Sequence, residues 1–277
     1  MIPIALTIAG SDSGGGAGIQ ADLKTFSALG VYGASVITAL TAQNTLGVSA
    51  IHDVPPEFIT AEMEAVYSDL KVAATKIGML SQSGAIEAVA AGLERHKAQN
   101  VVLDPVMVAA SGDRLLAQDA EATLKRLLFP RALVITPNLH EAAALLDGPL
   151  AITEGEMREQ AERIRALGAR AVLIKGGHAK GADAVDLFVD EHGARRLVAR
   201  RYETVNTHGT GCTLSSAIAA FLARGVKLFE AVTLAKNYVT EAIAAADQLS
   251  VGHGHGPVHH FDAMWKRIEY GERNEKA

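Results

Sequence analysis

A turn of small residues, NTHGTGCT at 206–213, precedes an Ala-rich stretch of helical periodicity. Such a turn exposes consecutive backbone N–H groups at the positive end of a helix dipole, where anions bind. Phosphate is the natural ligand of such a site. Taken alone, the pattern favours a simpler interpretation, a Gly-rich helix start beside a buried thiol, because a lone cysteine usually packs as a small hydrophobic side chain.

A lysine and two carboxylates follow other apolar runs of the chain. Lys175 precedes two glycines, Asn138 and Glu141 are spaced by one helical turn, and Asp104 precedes a proline. A lysine, two carboxylates and an anion site are the groups needed to hold a polyphosphate together with magnesium. Together they shift the interpretation of the 206–213 turn toward phosphate binding.

Short Val- and Ile-rich runs alternate with longer amphipathic stretches, a pattern typical of a parallel sheet covered by helices. Such sheets bind ligands beyond the carboxyl ends of their strands, where the polar residues above would lie. The predicted strands are Ile4–Ala9, Val72–Ile77, Val101–Asp104, Ala132–Thr136 and Ala171–Lys175. The predicted helices between them are Ile19–Leu29, Glu57–Leu70, Ser83–His96, Leu115–Leu128 and Glu154–Leu167.

After Lys175 the pattern changes. Two short runs, Val185–Asp190 and Arg196–Arg201, predict an antiparallel hairpin at the edge of the sheet. The predicted helices Thr213–Ala223 and Phe229–Ala246 follow. The alternation contains no linker, so we expect a single domain over residues 1–268, followed by a frayed charged tail at 269–277.

Composition excludes several classes of protein. The 277 residues carry 31 acidic and 26 basic side chains and are 49% hydrophobic, which is not typical of a disordered chain. The mild acidity lacks the basic patch of a nucleic-acid-binding protein. Cys212 is the only cysteine, which favours a reducing, cytoplasmic setting. No segment predicts a signal peptide or a membrane span, so we expect no membrane partner.

Several short segments resemble known motifs but do not indicate the corresponding function. The Gly-rich stretch after the first strand fits neither GxGxxG nor the P-loop pattern. Asp12 lies in a DSGG sequence similar to the surroundings of a trypsin-like nucleophile, which we interpret as chance. The pair His140 and Glu141 begins an HExxH pattern that ends in Ala144, so no zinc pair forms. The His-rich run at 253–260 has the Gly and Pro content of a flexible flap.

The sequence closely resembles the hydroxymethylpyrimidine/phosphomethylpyrimidine kinases of thiamine biosynthesis, in the ribokinase-like superfamily. The resemblance covers nearly the whole chain, through AGSDSGGGAGIQADLKTF (9–26), TALTAQNT (38–45), KIGML (76–80), DPVM (104–107), TPNLHEA (136–142), IKGGH (174–178), THGTGCTLSSAIAA (207–220) and GHGPVHHF (254–261). It implies a three-layer α/β/α ribokinase-like fold with a mostly parallel central sheet and an antiparallel edge hairpin. It also implies two successive phosphoryl transfers from ATP, first to 4-amino-5-hydroxymethyl-2-methylpyrimidine and then to its monophosphate.

The resemblance assigns a pyrimidine pocket. Gln43 matches the family glutamine that binds the ring, and its carboxamide offers an acceptor and donors side by side, as an aminopyrimidine edge requires. Gly10 would allow close approach and Asp22 a polar contact. Met79 and Val106 would form apolar walls, although both are equally compatible with ordinary core positions.

The resemblance also assigns the phosphate side. Lys175 would bridge the transferring phosphates, with Gly209, Gly211 and Cys212 at the reaction centre. Asn138 and Thr210 would bind the nucleotide, with Asn237 near its adenine end. Glu141 and Asp104 would hold Mg²⁺, partly through water. The family further suggests a homodimer formed through an exposed sheet edge near Val31–Ala42.

Two other functions remain open on the sequence. Pyridoxal or pyridoxine kinases act on a similar heteroaromatic ring with a hydroxymethyl arm, although Gln43 within TAQNT favours the pyrimidine. A non-catalytic domain that senses pyrimidine or nucleotide is disfavoured, because a sensor need not keep Lys175, Glu141 and Cys212. ATP consumption with the pyrimidine separates these functions.

Cys212 stands where most sugar kinases of the superfamily place an aspartate base. Because phosphoryl transfer relies on positioning and electrostatics, strong deprotonation of the alcohol is not needed. The second acceptor is itself a phosphate, and an aspartate would repel it by about 4 kcal/mol at about 4 Å for an effective dielectric constant of about 20. A thiol can stay neutral, and at a helix N-terminus we expect it to ionise more easily than a free cysteine.

Cys212→Asp is therefore expected to slow phosphorylation of the monophosphate more than that of the alcohol. The extra negative charge acts only against the charged acceptor. The rates of the two steps, measured separately on the same variant, test this. Equal losses in both steps would contradict it.

Overall fold

Nine strands form one continuous sheet in the computed structural model, which describes residues 2–107, 120–177 and 183–266. In chain order the strands are β1 (Ile4–Asp12), β2 (Tyr32–Asn44), β3 (Gly47–Asp53), β4 (Ala74–Ile77), β5 (Val101–Leu103), β6 (Val134–Ile135), β7 (Ala171–Ile174), β8 (Asp183–Asp190) and β9 (Gly193–Arg200). Across the sheet their order is β3-β2-β1-β4-β5-β6-β7-β8-β9.

The six central strands, from β2 to β7, are parallel, and the two edges are antiparallel. At one edge β7 pairs with β8 and β8 with β9, so the predicted hairpin and the mostly parallel sheet are confirmed. At the other edge β3 pairs antiparallel with β2, over Ala39–Asn44 of β2.

The helices lie on both faces of the sheet. They are α1 (Gly18–Ala28), α2 (Pro56–Asp69), α3 (Ser83–Arg95), α4 (Ala120–Leu127), α5 (Leu139–Leu145), α6 (Glu154–Ala166), α7 (Thr210–Ala223) and α8 (Leu228–Ala244), with 3-10 turns at Phe129–Arg131 and Ala246–Gln248. The predicted start of the fourth helix at Leu115, the loop residue His178 and the tail 269–277 lie outside the described residues. In the described ranges no helix is both long and apolar enough to cross a membrane.

Strand alternation divides the core into two layers. Val102 and Val134 face α7 and α8, whereas their neighbours Leu103 and Ile135 face the helices α2 to α6. All four are fully buried. Because both faces of a parallel strand are covered, these strands are continuously apolar instead of alternating with polar residues.

The sequence prediction differs from the structure at the β2–β3 edge. Neither strand was predicted from its residues, because Gly and Ala interrupt the β-branched pattern of β2. Its strand conformation is set by pairing with β1 from Tyr32 to Thr41. Helix α7 also begins at Thr210, three residues before its predicted start at Thr213.

A buried ion pair ties α1 to the sheet beneath the loops that follow the strands. Lys76 in β4 and Asp22 in α1 are both 0% exposed, and Lys76 Nζ lies 2.9 and 2.8 Å from the two Asp22 carboxylate oxygens. Thr7 Oγ1 and Ser216 Oγ each donate to Asp22 at 2.5 Å. Burial alone would lower the pKa of Lys76, but Asp22 raises it above its usual value, so the lysine is charged.

Lys76→Met is expected to destabilise the fold by about 3–5 kcal/mol, because it leaves the Asp22 carboxylate buried without its cation. The free energy of unfolding, from urea titration followed by circular dichroism, measures the loss. Arg158→Met is the matched control: its ion pair with Glu162 is 60% and 50% exposed, and such pairs contribute less than about 1 kcal/mol. Equal, small losses in both variants would contradict this prediction.

Candidate active site

The predicted site residues follow the carboxyl ends of the parallel strands, in the order in which the strands lie in the sheet. Gln43 and Gly10 lie near the ends of β2 and β1, and Met79 follows β4. The phosphate-side residues follow β5, β6 and β7 in turn; they are Asp104, Asn138 and Lys175. The structure therefore places the predicted ring-binding residues and the predicted phosphate-binding residues together, at the carboxyl ends of the parallel strands.

Gly209 brings the start of α7 against the Gly-rich turn after β1. It caps α7 with φ 79°, a left-handed conformation that glycine adopts without strain. A Cβ atom at Gly209 would lie 1.8 Å from the carbonyl oxygen of Gly16. Only glycine allows this approach, so the two turns form one continuous surface.

The first turn of α7 presents two unpartnered amides. The Thr210 amide donates to the carbonyl of Thr207 at 3.2 Å, and regular helical bonding resumes with Thr213. Between them, the N–H groups of Gly211 and Cys212 donate to no atom in the described part of the chain. Two such amides at the positive end of a helix dipole form an anion site.

Lys175 faces these amides. A Cβ atom at Gly211 would lie 3.3 Å from Lys175 Nζ and 3.5 Å from Asp104 Oδ2. Lys175 Nζ donates to Asp104 Oδ1 at 2.8 Å and lies 3.8 Å from Glu141 Oε2. Burial alone would lower the pKa of Lys175, but Asp104 and Glu141 raise it, so the ammonium stays charged.

The two carboxylates beside Lys175 differ in protonation. Burial would raise the pKa of Asp104, but the ammonium groups of Lys175 and Lys76 hold it below its usual value. Burial raises the pKa of Glu141 to about 7; Asp104 adds to this and Lys175 opposes it. Asp104 is therefore ionised at neutral pH, whereas Glu141 is balanced between its two forms.

Asn138 and Glu141 form a capping box at the start of α5. The Glu141 amide donates to Asn138 Oδ1 at 2.9 Å, and the Asn138 amide donates to Glu141 Oε2 at 2.7 Å. Asn138 also forms a β-bridge with Lys175, which fixes the end of β7 beside this helix start. The box explains why these two residues are spaced by three, whatever ligand they meet.

The ring side of the site lies across the Gly-rich turn. A Cβ atom at Gly10 would lie 3.3 Å from Met79 Sδ, so the glycine leaves room above this side chain. Thr41 Oγ1 lies 3.1 Å from Gln43 Oε1, and Val106 is half-buried. The contacts predicted for Gly10, Gln43, Met79 and Val106 with a pyrimidine remain predictions.

A family model described as phosphomethylpyrimidine kinase matches residues 12–259. The chain belongs to the phosphomethylpyrimidine kinase family. This family membership confirms the resemblance found in the sequence, and the ribokinase-like fold is likewise confirmed.

Two bacterial relatives match this chain over nearly their whole length. The hydroxymethylpyrimidine/phosphomethylpyrimidine kinase of Rhizobium meliloti is 62% identical, over 96% of this chain and 100% of the relative. That of Escherichia coli is 55% identical, over 94% of this chain and 98% of the relative.

Solved structures agree on the fold. The phosphomethylpyrimidine kinase from Clostridium difficile is 45% identical and superposes with a TM-score of 0.77, over 88% of this chain and 100% of the other. The Bacillus subtilis pyridoxal kinase, solved with ADP, is 39% identical with a TM-score of 0.87, over 94% of this chain and 98% of the other. Both vitamin kinases therefore share this arrangement of elements.

Cys212 is a neutral thiol in this family member. Burial raises its pKa to about 11; Asp22 and Asp104 add to this, and Lys76 partly offsets it. The expectation that the helix N-terminus would make Cys212 ionise easily is wrong, because desolvation and two carboxylates outweigh the helix dipole. The expectation that a thiol can stay neutral there agrees with this shift.

Asp22 does not reach the surface of the site. Its two oxygens accept hydrogen bonds from Lys76, Thr7 and Ser216, and the residue is 0% exposed. The predicted polar contact of Asp22 with a ligand is therefore not found. The carboxylate instead holds Lys76, and the charge of Lys76 acts to lower the pKa values of Asp104 and Cys212.

Asn237 faces away from the hairpin. It is exposed in a groove that it shares with Ala28, the last residue of α1, and with Leu29, which follows it. Its neighbour Lys236 is the residue that meets the hairpin, donating to Asp186 of β8 at 2.7 Å. A contact between Asn237 and an adenine ring thus receives no support from this geometry.

The His-rich run is fastened at several points and is not a free flap. The His255 amide donates to the carbonyl of Thr45, and the Gly256 amide donates to Asn206 Oδ1. His260 Nε2 lies 3.0 Å from Thr213 Oγ1. Burial lowers the pKa of His260 to about 4, and no group of three metal-binding side chains occurs among the described residues.

Sequence reasoning missed three polar residues that the structure buries around the site: Lys76, Asp12 and His208. A signal was present for Lys76, since a lysine inside an apolar strand needs a buried partner. The DSGG fragment gives Asp12 no role in the sequence, yet its carboxylate accepts hydrogen bonds from the amides of Gly14, Gly16 and Ala17. In the sequence, nothing distinguishes His208 from the rest of the Gly-rich turn.

The acidic residues fit a phosphate-bound Mg²⁺ better than a fully protein-bound one. Mg²⁺ is usually held by one or two carboxylates together with phosphates and waters. Glu141 and Asp104 meet that requirement on either side of Lys175, with Glu141 Oε1 accepting no hydrogen bond from the described residues. The Mg²⁺ site stays a prediction, in which a bound polyphosphate completes the set of ligands.

The Mg²⁺ concentration needed for half-maximal activity is expected to rise as the pH falls through about 7, because Glu141 takes up a proton there and loses its charge. One pH unit below the pKa, only about one tenth of Glu141 is ionised. The Mg²⁺ concentration for half-maximal activity at pH 6 and pH 8 measures the effect. In Glu141→Gln the requirement is expected to be higher and to lose this pH dependence.

Glu156→Gln is the matched control, because Glu156 occupies the same capping-box position in α6 but is exposed. Both substitutions replace the carboxylate of a capping box, and of the two only Glu141 lies beside Lys175. A pH dependence that survives unchanged in Glu141→Gln would place its origin in the nucleotide phosphates and contradict the role given to Glu141.

Proposed function

We propose that this chain is an ATP-dependent kinase that phosphorylates 4-amino-5-hydroxymethyl-2-methylpyrimidine to its monophosphate and then to its pyrophosphate in thiamine biosynthesis. The observation that carries the proposal is the pair of amides at Gly211 and Cys212, which donate to none of the described residues and lie beside the charged ammonium of Lys175. The names of relatives at 55% and 62% identity support the substrate.

The site suits phosphoryl transfer because this reaction is catalysed mainly by positioning and electrostatics. The two amides and Lys175 offer fixed donors to the oxygens of the transferring phosphoryl group. Lys175 is held between Asp104 and Glu141, so its ammonium needs no reorganisation when negative charge develops. Removing one preorganised donor of this kind costs about 100-fold or more in rate.

Two acceptors must in turn reach the γ-phosphate of a bound ATP, an alcohol in the first turnover and a phosphate in the second, and each turnover uses a new ATP and releases ADP. The neutral thiol of Cys212 suits both, because it adds no negative charge beside the second acceptor. Proton removal by Cys212 is not part of the proposal, since a pKa of about 11 leaves almost no thiolate at neutral pH. The attacking oxygen is placed by the turn and the ring pocket.

The ring pocket is proposed at Gln43, Gly10, Met79 and Val106. The Gln43 carboxamide can pair with the amino group and ring nitrogen of the pyrimidine, and the other three allow close apolar contact. For the nucleotide, Asn138 and Thr210 are proposed as phosphate contacts. Mg²⁺, when bound at Glu141 and Asp104, offsets the charge of the phosphate oxygens.

Pyridoxal phosphorylation is a second candidate activity. The specific observation is the TM-score of 0.87 with the Bacillus subtilis pyridoxal kinase, at 39% identity. The two substrates share a heteroaromatic ring with a hydroxymethyl arm, which the same pocket can present to the amides of α7. The identities to pyrimidine kinases are higher, so the pyrimidine is the preferred substrate in this proposal.

We further propose a single kinase domain over residues 1–268 that works in the cytoplasm as a homodimer. In support of the dimer, β3 pairs with β2 only from Ala39, which leaves the first half of β2 as an open edge. Tyr32 on that half is 58% exposed. The mass in solution, measured by light scattering, tests the dimer.

The kinase assay uses the purified full chain with ATP, Mg²⁺ and the hydroxymethylpyrimidine, and follows ADP release and products by ³¹P NMR. The monophosphate is expected to appear first and the pyrophosphate second. Parallel assays with pyridoxal are expected to give a lower kcat/KM. No ADP release with either ring compound would overturn the proposed function.

Lys175→Met is expected to lower kcat by about 100-fold or more, because the ammonium stabilises charge in the transition state. Lys71→Met is the matched control, since Lys71 is exposed just before β4, at the opposite end of the strands from the site. Equal activity in the two variants would remove Lys175 from the proposed chemistry.

A further inference from the structure

His208 lies where three segments of the site meet. Its ring nitrogen Nε2 is 2.8 Å from Asp12 Oδ2 and 3.4 Å from the Gln43 amide nitrogen. Its backbone N–H donates to the Gly256 carbonyl at 3.0 Å, and its carbonyl accepts from the Val258 amide at 3.3 Å. The next residue in the chain is the glycine that caps α7.

The bond to Asp12 determines which atom of His208 carries hydrogen. Burial alone would raise the pKa of Asp12, but hydrogen bonds from His208 and Ala17 lower it, so Asp12 is an ionised acceptor. His208 Nε2 therefore donates its hydrogen to Asp12. The same nitrogen cannot accept a hydrogen bond from Gln43, so the Gln43 amide hydrogens are left for a ligand.

Asp12 connects His208 to the Gly-rich turn. Its carboxylate accepts from the amides of Gly14 at 2.8 Å, Gly16 at 3.0 Å and Ala17 at 2.8 Å. The His208 ring also packs on this turn, since a Cβ atom at Gly16 would lie 2.4 Å from His208 Cδ2. One side chain thus fixes both the turn after β1 and the turn before α7.

The strap, residues 252–258, holds His208 from the other side. The amides of His253 and Gly254 donate to Thr45 Oγ1 at 3.2 and 3.1 Å, directly after the end of β2. Asn206 Oδ1 accepts from the Gly256 amide at 3.1 Å. The strap therefore bridges from the β2–β3 turn, beside Gln43, to the turn that begins α7.

We propose that His208 is a positioning residue, whose bond to Asp12 keeps the amides at the start of α7 in register with the ring pocket. This inference rests on the proposed function, which places the acceptor ring and the transferring phosphoryl group on the two turns that His208 joins. The role of His208 in this proposal is to hold the two turns and not to react. It sets the distance between them, and a misplacement of about 1 Å can cost about 100-fold in rate.

His208→Leu is expected to lower kcat by about 10- to 100-fold, with the KM values for ATP and the ring compound changed by less than about threefold. His208→Gln is expected to stay within about threefold of wild type, because its amide can still donate to Asp12. Asp12→Ala removes the acceptor of the same bond independently, so the double variant Asp12→Ala/His208→Leu is expected to be no slower than the slower single variant.

His192→Leu is the matched control, because His192 is 75% exposed on the β8–β9 turn, at the other end of the sheet. It is expected to match wild type. Hydrogen exchange gives a readout besides activity. The amides of residues 14–17 are expected to exchange faster in His208→Leu and Asp12→Ala, and at the wild-type rate in His208→Gln and His192→Leu.

Three results would overturn the inference: a raised KM with unchanged kcat in His208→Leu, equal losses in His208→Gln and His208→Leu, or unchanged exchange at residues 14–17. A wild-type chain that phosphorylates neither ring compound would defeat the proposed function instead. The exchange experiment still decides whether His208 joins the two turns in that case.

Discussion

The ion pair between Lys175 and Asp104 is the interaction on which the site depends. It joins the ends of β7 and β5 across β6, beneath the first turn of α7. A buried ammonium is stable only with a partner, and a buried carboxylate likewise. Because each fixes the other, a charged donor stands beside two amides that have no partner in the described part of the chain. The donor therefore needs no ordering when a phosphate binds.

A second buried ion pair, Lys76 with Asp22, lies close enough to the site to act on Asp104 and Cys212. Lys76 lowers the pKa of Asp104, whereas Asp22 and Asp104 help to raise that of Cys212. The chain thus keeps one position at the start of α7 neutral among four charged groups. This neutrality distinguishes the site from one built around an aspartate base, and it suits an acceptor that is itself a phosphate.

Glycine determines how closely the two halves of the site approach. The left-handed Gly209 allows contact with the carbonyl of Gly16, and a side chain at Gly211 would press on Lys175. At this spacing the side chains of Asp12 and His208 can join the turns directly. The strap, residues 252–258, packs beside this contact and bonds to Thr45 and Asn206. The His-rich run therefore helps to hold the site in place.

The sequence by itself determined the parallel sheet, the edge hairpin, the family and the residues around α7, because apolar periodicity and ordered motifs are local properties. Only the tertiary structure decided that β2 is a strand, that Asp22 is buried, that Asn237 faces α1 and that Cys212 is neutral. Strand pairing, burial and pKa depend on neighbours distant in sequence. For the same reason Asp12 and His208, 196 residues apart, gave no sequence signal of their contact.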